Sequence, residues 1–385
     1  MNEITKDKKT LAECFDGLED PRKKEVDHKF IDIMIITVLA VLCGANGFNE
    51  IEIFGKSKEK WLRTFLELNN GIPSHDTFNR VLSLINPKEF HNCFMDWVST
   101  LYQKISREIV SLDGKTVRRT REKSNGKKPI HVVSAWANAN KLVLGQIKVD
   151  EKSNEITAIP ELLKLLDVKG CIITIDAMGT QTEIAKTIIE SGAEYVLALK
   201  ENQETLHNDV KLYFDEEILT ETKKSLKEKE VYYKTLEKDH GRIEKREYYM
   251  VKDISWLDEI HRNRWTNLSA IGMVIEERTI NDETSTFTRF HIMSDIKDVK
   301  EYATATRGHW GIENELHWCL DVGFREDESR ARKDNSAENL NIVRHWSTNL
   351  LKNEKSTKQG IHAKRLKCGW DEKYLLKVLQ IGFDV

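Results

Sequence analysis

Proline and cysteine are scarce, with 5 and 6 residues in a chain of 385, and each scarcity excludes something. With so little proline, neither a collagen-like repeat nor a proline-rich linker is available. The six cysteines, Cys14, Cys43, Cys93, Cys171, Cys319 and Cys368, lie far apart with no C-x-x-C pair. That spacing argues against a thiolate zinc site and a compact disulfide framework, and it predicts buried free thiols. Long hydrophobic runs are also missing. The most apolar stretch, Ile33 to Cys43, has 11 residues, whereas a membrane-spanning helix needs about 20. It predicts a buried helix. The charged N-terminal start is not followed directly by an apolar segment, so no secretory signal is expected, and the chain is expected to be cytoplasmic with no membrane partner. Nor is there an excess of positive charge. Lysine plus arginine number 60 against 63 aspartate plus glutamate, a net charge of −3, so any basic surface must be local.

What remains is a folded composition, 39% apolar and 32% charged, long enough for two or three domains. Residues 1–104 predict a helical N-terminal domain, with apolar residues recurring at three and four through Ile31 to Leu42, Ile51 to Leu68 and Phe78 to Ile85. Gly71-Ile72-Pro73-Ser74 separates the last two, with Ser74 as N-cap. The third of these helices projects His75, Asp76, Asn79, Arg80 and Ser83 away from its apolar face. A helix of that kind can lie in a DNA groove, although an ordinary amphipathic helix with a solvated face shows the same pattern.

Near residue 108 the pattern becomes mixed. Short β runs are expected at Ile109 to Leu112, His131 to Ala139 and Leu142 to Val149, and a helix at Ile156 to Leu166. Cys171 to Ile175 is nearly all apolar, as in a central strand covered on both faces. A helix at Gln181 to Ser191 and a strand at Tyr195 to Leu199 imply a parallel crossover. The fold class is α/β, a mixed sheet of order β-β-β-α-β-α-β over residues 105–200. Residues 201–298 predict a β-rich insertion with runs at Arg246 to Val251, Leu268 to Glu276 and Thr286 to Met293. Helix returns over 299–350, and 351–385 form a mixed, charged tail.

Asp113 and Asp176 each follow a predicted strand of this sheet, where α/β folds place their sites. If the strands are neighbours, the two carboxylates converge and repel unless a cation lies between them. Hard oxygen ligands suit Mg²⁺ or Mn²⁺. The simpler alternative is that each aspartate caps the turn that follows it. From Gly114 to Lys128 the cations Lys115, Arg118, Arg119, Arg121, Lys123, Lys127 and Lys128 face Glu122 alone, a basic patch that the net charge hides. It would present DNA phosphates to the site beside it.

A third cluster runs from His309 to Asp321 (HWGIENELHWCLD). On an α-helix His309, Glu313 and His317 share one stripe, and Trp310 and Trp318 read as core aromatics. A zinc site here would lack the H-E-x-x-H arrangement and leave Asp113 and Asp176 unexplained. Among the nearby acids, Glu315 is rotated about 200° from Glu313, and Asp321 lies about 12 Å farther along the axis. Glu326 and Asp327 follow Gly323, where the helix is expected to end.

The strings SLDGKTVRRT, VDEKSNEITAIPELLKLLDVKGCIITIDAMGTQTEIAKTIIESGAEYVLALKENQ, DHGRIEKREYY and RGHWGIENELHWCLDVGFREDESRAR closely resemble the insertion-sequence DDE transposases of the H-repeat-associated branch. GIPSHDTFNRVLSLINP, with the helices before it, resembles their associated N-terminal domain. The resemblance implies a ribonuclease-H-like mixed sheet flanked by helices, in which Asp113, Asp176 and Glu313 hold two Mg²⁺ ions, Mn²⁺ being the other candidate. It also implies cleavage of a phosphodiester bond and joining of the freed 3′-hydroxyl to target DNA, an in-line displacement without a covalent enzyme intermediate. The partners expected are terminal inverted repeats and target DNA, with two copies of the chain on paired ends. Lys115, Arg118, Arg119, Arg121, Asn79, Arg80 and His309 are the expected DNA contacts. The tyrosine, arginine and lysine that related transposases carry around the glutamate are here Thr306, His309 and Leu320, so of these three only His309, in the arginine's place, is a substitute. A nuclease of the same fold and a non-catalytic DNA-binding remnant are the alternatives.

Overall fold

The computed structural model describes residues 8–23, 26–121, 126, 128–149, 155–239 and 241–384. Its helices and strands are α1 (Phe30–Leu42), α2 (Phe48–Leu62), α3 (His75–Leu84), α4 (Pro87–Leu101), β1 (Ile109–Thr116), β2 (His131–Ala137), β3 (Leu142–Val149), α5 (Glu155–Leu165), β4 (Ile172–Ile175), α6 (Thr182–Glu190), β5 (Glu194–Leu199), α7 (Glu204–Tyr213) and α8 (Lys223–Glu228). They continue with β6 (Tyr232–Asp239), β7 (Arg242–Val251), α9 (Glu259–Arg264), β8 (Ala270–Ile280), β9 (Glu283–Met293), α10 (Val299–Gly311), a π-helical turn (Ile312–His317), α11 (Trp318–Phe324), α12 (Ser336–Asn353), α13 (Ile361–Trp370) and α14 (Glu372–Leu379). Among the described residues no helix is long and apolar enough to cross a membrane.

The chain divides into two compact units, one of residues 1–103, 114–154 and 313–385, the other of residues 104–113 and 155–312. These boundaries differ from those read in the sequence, because α12 packs on α1, α3, α4 and β3 and gathers the N-terminal helices with the C-terminal ones. α1, apolar on every face but for Asp32 and Thr37, is buried from Asp32 to Leu42, as its composition predicts. α12 is different. Asn339, Asn341, Arg344, His345, Ser347, Thr348 and Asn349 are all buried on it. Asn339 donates to the carbonyls of Leu82 (2.8 Å) and Ile85 (3.0 Å), and Asn349 bonds both backbone groups of Val143. Its Trp346 packs edge-on or tilted against Phe15, Phe90, Phe94 and Trp97. Backbone groups at the ends of other elements are thus satisfied from α12.

In the second unit β1, β4 and β5 are parallel, and β9, β8, β7 and β6 continue the sheet as antiparallel strands. In the first unit β2 and β3 pair antiparallel. Within the second unit the strand order is β1-β4-β5-β9-β8-β7-β6, a mixed sheet flanked by helices as the ribonuclease-H-like fold implied by the resemblance requires. Two details differ from the sequence reading. β6 lies in the lysine- and glutamate-rich stretch, where alternating residues of a solvated strand show no apolar run. β1 reaches Thr116, so Asp113 is inside the strand and not after it. α10 covers this sheet where Tyr302 meets Tyr248, Val274 and Met250; a side chain at Gly272 would come within 2.5 Å of the Tyr302 ring.

Candidate active site

The register of the second unit pairs Leu112 with Ile175, so Asp113 and Asp176 are the next residues along two adjacent parallel strands. Strands in a sheet lie about 4.8 Å apart, which brings the two residues side by side at the C-terminal end of β4. Both residues are half-buried. β4 is apolar and wholly buried because it is an interior strand with a neighbour on each side. Asp176 Oδ1 also accepts the Gly179 amide at 3.2 Å, so it closes the following turn as well. A side chain at Gly179 would lie 2.3 Å from Ile175 Cγ2. Only glycine lets the turn fold back onto the strand.

Behind the aspartates, Thr174 Oγ1 donates to Ser111 Oγ at 3.0 Å and lies 3.1 Å from His309 Nδ1 on α10. Burial pulls the His309 pKa down to about 4, with Asp176 opposing the shift. Burial so placed favours the neutral imidazole over the imidazolium. Trp310, next along, lies under the Arg289 guanidinium at 5.1 Å.

Glu313 is exposed and opens the first unit's share of the π turn. A π turn bonds i to i+5, so the stripe expected for His309, Glu313 and His317 on a straight α-helix does not run through it. Glu315 is engaged by Lys141 at 2.6 Å and Lys352 at 3.8 Å. Trp318, expected in the core, is 61% exposed. Glu326 is fully buried, and Lys115 and Asn341 each bond it at 2.5 Å. Asp327 accepts from Arg118. The acids other than Glu313 in this stretch therefore have cationic partners within the chain. Among the described residues, no three histidine, cysteine, aspartate or glutamate side chains are gathered closely enough to hold a metal ion.

Lys115, expected to contact DNA, is a half-buried ion-pair partner of Asp321 (2.6 Å) and Glu326, because β1 extends past Asp113 and turns it toward them. Arg118, Arg119 and Arg121 are exposed; Lys123 and Lys127 lie outside the described residues. Arg332 donates to the Arg119 carbonyl at 3.2 Å and joins this basic surface, with Arg330 and Lys333 exposed beside it in sequence. The sequence reading missed these three, although three cations in four residues were a visible signal. On α3, Ser74 caps the helix through the Thr77 amide as expected. Arg80 is exposed, whereas His75 is tied to Glu52 at 2.7 Å. Asn79 lines a cleft of about 310 Å³ with Asn46, Asn49, Glu50, His75 and Arg330.

The family described as "Transposase DDE domain" matches residues 104–350, and the family "DDE_Tnp_1-associated" matches residues 12–98. "H repeat-associated putative transposase YhhI" of Escherichia coli (strain K12) is 39% identical over 378 residues, 96% of this chain and 98% of that protein. "Putative transposase YncI" of Escherichia coli O157:H7 is 38% identical over 382 residues, 97% of this chain and 96% of that protein. A piggyBac transposase synaptic complex with hairpin DNA aligns at a TM-score of 0.41 and 10% identity, over 96% of this chain and 76% of that chain, too distant a likeness to carry an argument. The two domain matches and the full-length relatives make this chain a member of the DDE transposase family, in its H-repeat-associated branch.

Proposed function

We propose that the protein binds the ends of its own DNA element, cuts a phosphodiester bond there with divalent ions, and joins the freed 3′-hydroxyl to target DNA. The observation that carries this reading is the β1–β4 register, which sets Asp113 beside Asp176. An all-oxygen donor pair on adjacent strands suits a hard cation such as Mg²⁺ or Mn²⁺, and the family resemblance supports Glu313, exposed and without a cationic partner among the described residues, as the third acid. Divalent ions bound there would supply Lewis-acid stabilisation of charge on the phosphoryl group. The chain's own residues orient the DNA. Arg118, Arg119 and Arg121, with Arg330 and Arg332, hold backbone phosphates, while Asn79 and Arg80 meet bases. Paired ends would engage two copies of the chain. The cytoplasm is the expected compartment.

The test incubates the full chain with DNA carrying the terminal sequences that flank its own gene, a second DNA as target, and Mg²⁺, Mn²⁺ or a chelator. Metal-dependent cleavage at the ends and joined products are expected, both lost in Asp113→Asn and Asp176→Asn with DNA binding kept. Cleavage without joining would identify a nuclease of the same fold. Specific binding without cleavage in either metal would identify a non-catalytic DNA-binding protein, in line with a relative named "Inactive transposase YbfQ", 44% identical over 59 residues.

A further inference from the structure

Lys115, near the end of β1, and Glu326, which opens a 3₁₀ turn (Glu326–Glu328), both belong to the first unit. Lys115 Nζ lies 2.5 Å from Glu326 Oε2 and 2.6 Å from Asp321 Oδ1, and the lysine side chain is 12% exposed against 1% for Glu326. Asn341 donates to Glu326 Oε1 at 2.5 Å and Arg344 lies 3.8 Å from it, both on α12. Each partner of this contact stands at the root of a run of cations. Shortly after Lys115 comes the turn Arg118–Thr120, fixed by the Thr120 hydroxyl, which donates to the Val117 carbonyl at 2.8 Å and accepts the Ile130 amide at 2.9 Å. After Glu326 the chain passes to α12 through Arg330, Arg332 and Lys333. The two runs meet where the Arg118 amide donates to Asp327 Oδ1 at 3.3 Å and Arg332 Nε donates to the Arg119 carbonyl at 3.2 Å. Arg118, Arg119, Arg121, Arg330 and Lys333 remain exposed.

We infer that Lys115 and Glu326 are positioning residues for the DNA backbone: their ion pair locks the two cationic runs into one register, so that arginines of both meet phosphates of the same duplex. The inference rests on the DNA-binding reading above and on groups of the first unit alone. An ion pair so far from water gains little stability over an apolar pair of the same shape, because desolvation offsets most of the attraction. What it fixes is geometry. Between Glu326 and Ser336 the regular structure is one short turn, so the placement of Arg330, Arg332 and Lys333 depends on where Glu326 is held. Lys115 does not itself serve as the phosphate contact, since its amine is enclosed by two carboxylates. Cations held in place beforehand bind without the ordering cost that loose side chains bring to an interface.

The experiment measures binding of the full-length protein to a duplex carrying the terminal sequences that flank its gene, in chelator and over a range of salt, with thermal unfolding followed in parallel. Lys115→Met, Lys115→Arg and Asn341→Ala are compared with wild type, and Lys115→Met and Asn341→Ala are repeated in an Arg330→Ala/Arg332→Ala background. Lys115→Met leaves Glu326 its Arg344 counterion and is expected to lower the slope of log affinity against log salt by about 0.9 for each cation that leaves the duplex. In the arginine-free background the same substitution should lower it by less, because a positioning residue acts through the contacts already removed. Lys115→Arg, which still bridges the carboxylates, should keep the wild-type slope. If Lys115→Met does not fold, Asn341→Ala decides by the same comparison, since it takes one neutral donor from Glu326 and leaves every charge paired. A wild-type slope in the folded variant, or an equal fall in both backgrounds, would overturn the inference alone. An unchanged slope on replacing Arg330 and Arg332 would overturn it and remove those two from the DNA contacts, and a wild type that binds no DNA would overturn the DNA-binding reading as well.

Discussion

Thr174 and His309 are joined by a 3.1 Å hydrogen bond whose direction the surrounding groups decide. Ser111 Oγ donates to the Gly308 carbonyl at 3.3 Å and accepts from Thr174, so the threonine hydroxyl has spent its proton and accepts from His309 Nδ1. The imidazole is thereby oriented two residues from Asp176, with Nε2 left as the lone-pair nitrogen. His309→Ala should leave the salt slope of DNA binding unchanged, whereas loss of a phosphate contact would lower it by about 0.9. Thr174→Val should cost about 1 kcal/mol of stability, read by urea denaturation.

Glu313 and Glu315 should separate in their effects. Glu313→Gln is expected to abolish cleavage at unchanged thermal stability, since its carboxylate is exposed. Glu315→Gln loses its pairs with Lys141 and Lys352, both partly solvated, and should cost under about 1 kcal/mol while keeping cleavage. Cleavage assays and melting curves on the two variants check both outcomes.

The exposed arginines should show in the salt dependence. Alanine at Arg118, Arg119 and Arg121 should lower the slope of log affinity against log salt by about 0.9 per lost contact, and adding Arg330→Ala and Arg332→Ala should lower it further. An unchanged slope would leave these residues as solvated surface.

His91 supplies a pH dependence. Its Nε2 accepts the Gln146 amide at 2.9 Å, and burial brings its pKa down to about 4. The unfolded chain takes up this proton near the ordinary value of about 6.5 while the folded chain stays neutral. The stabilisation is therefore complete above about pH 6.5 and is lost as pH falls toward 4, by at most about 3 kcal/mol. Urea midpoints of wild type should fall between pH 7.5 and 4.5 by more than those of His91→Gln.

The N-terminal helices should not stand alone. α3 ends where Asn339 takes the carbonyls of Leu82 and Ile85, and Phe90, Phe94 and Trp97 close on Trp346. A fragment of residues 1–104 lacks all of α12, and its circular dichroism should show a loss of cooperative thermal unfolding compared with the full chain.

The elements with a period of their own were legible in the sequence. α1 is apolar but for Asp32 and Thr37, β4 is an apolar run of central-strand length, and α3 announces its start with Ser74. The family strings added the choice of Asp113, Asp176 and Glu313, because a motif carries residue identity where periodicity carries only a face. β6 and the buried face of α12 were not legible. Each is written in polar residues, and their burial or pairing is set by partners far away in the chain.

The sequence by itself determined the transposase family, the succession of helix and strand over residues 105–200, and Asp113 and Asp176 as candidates, whereas the β1–β4 register is what sets those two abreast. Only the tertiary structure decided the fate of the charged side chains. Lys115 and Arg118 belong to one basic run, yet one is half-buried between two carboxylates and the other faces solvent. Hydropathy assigns both to the surface. Burying a charge is possible only where opposite charges from distant segments are waiting, and that arrangement exists once α11 and α12 have packed.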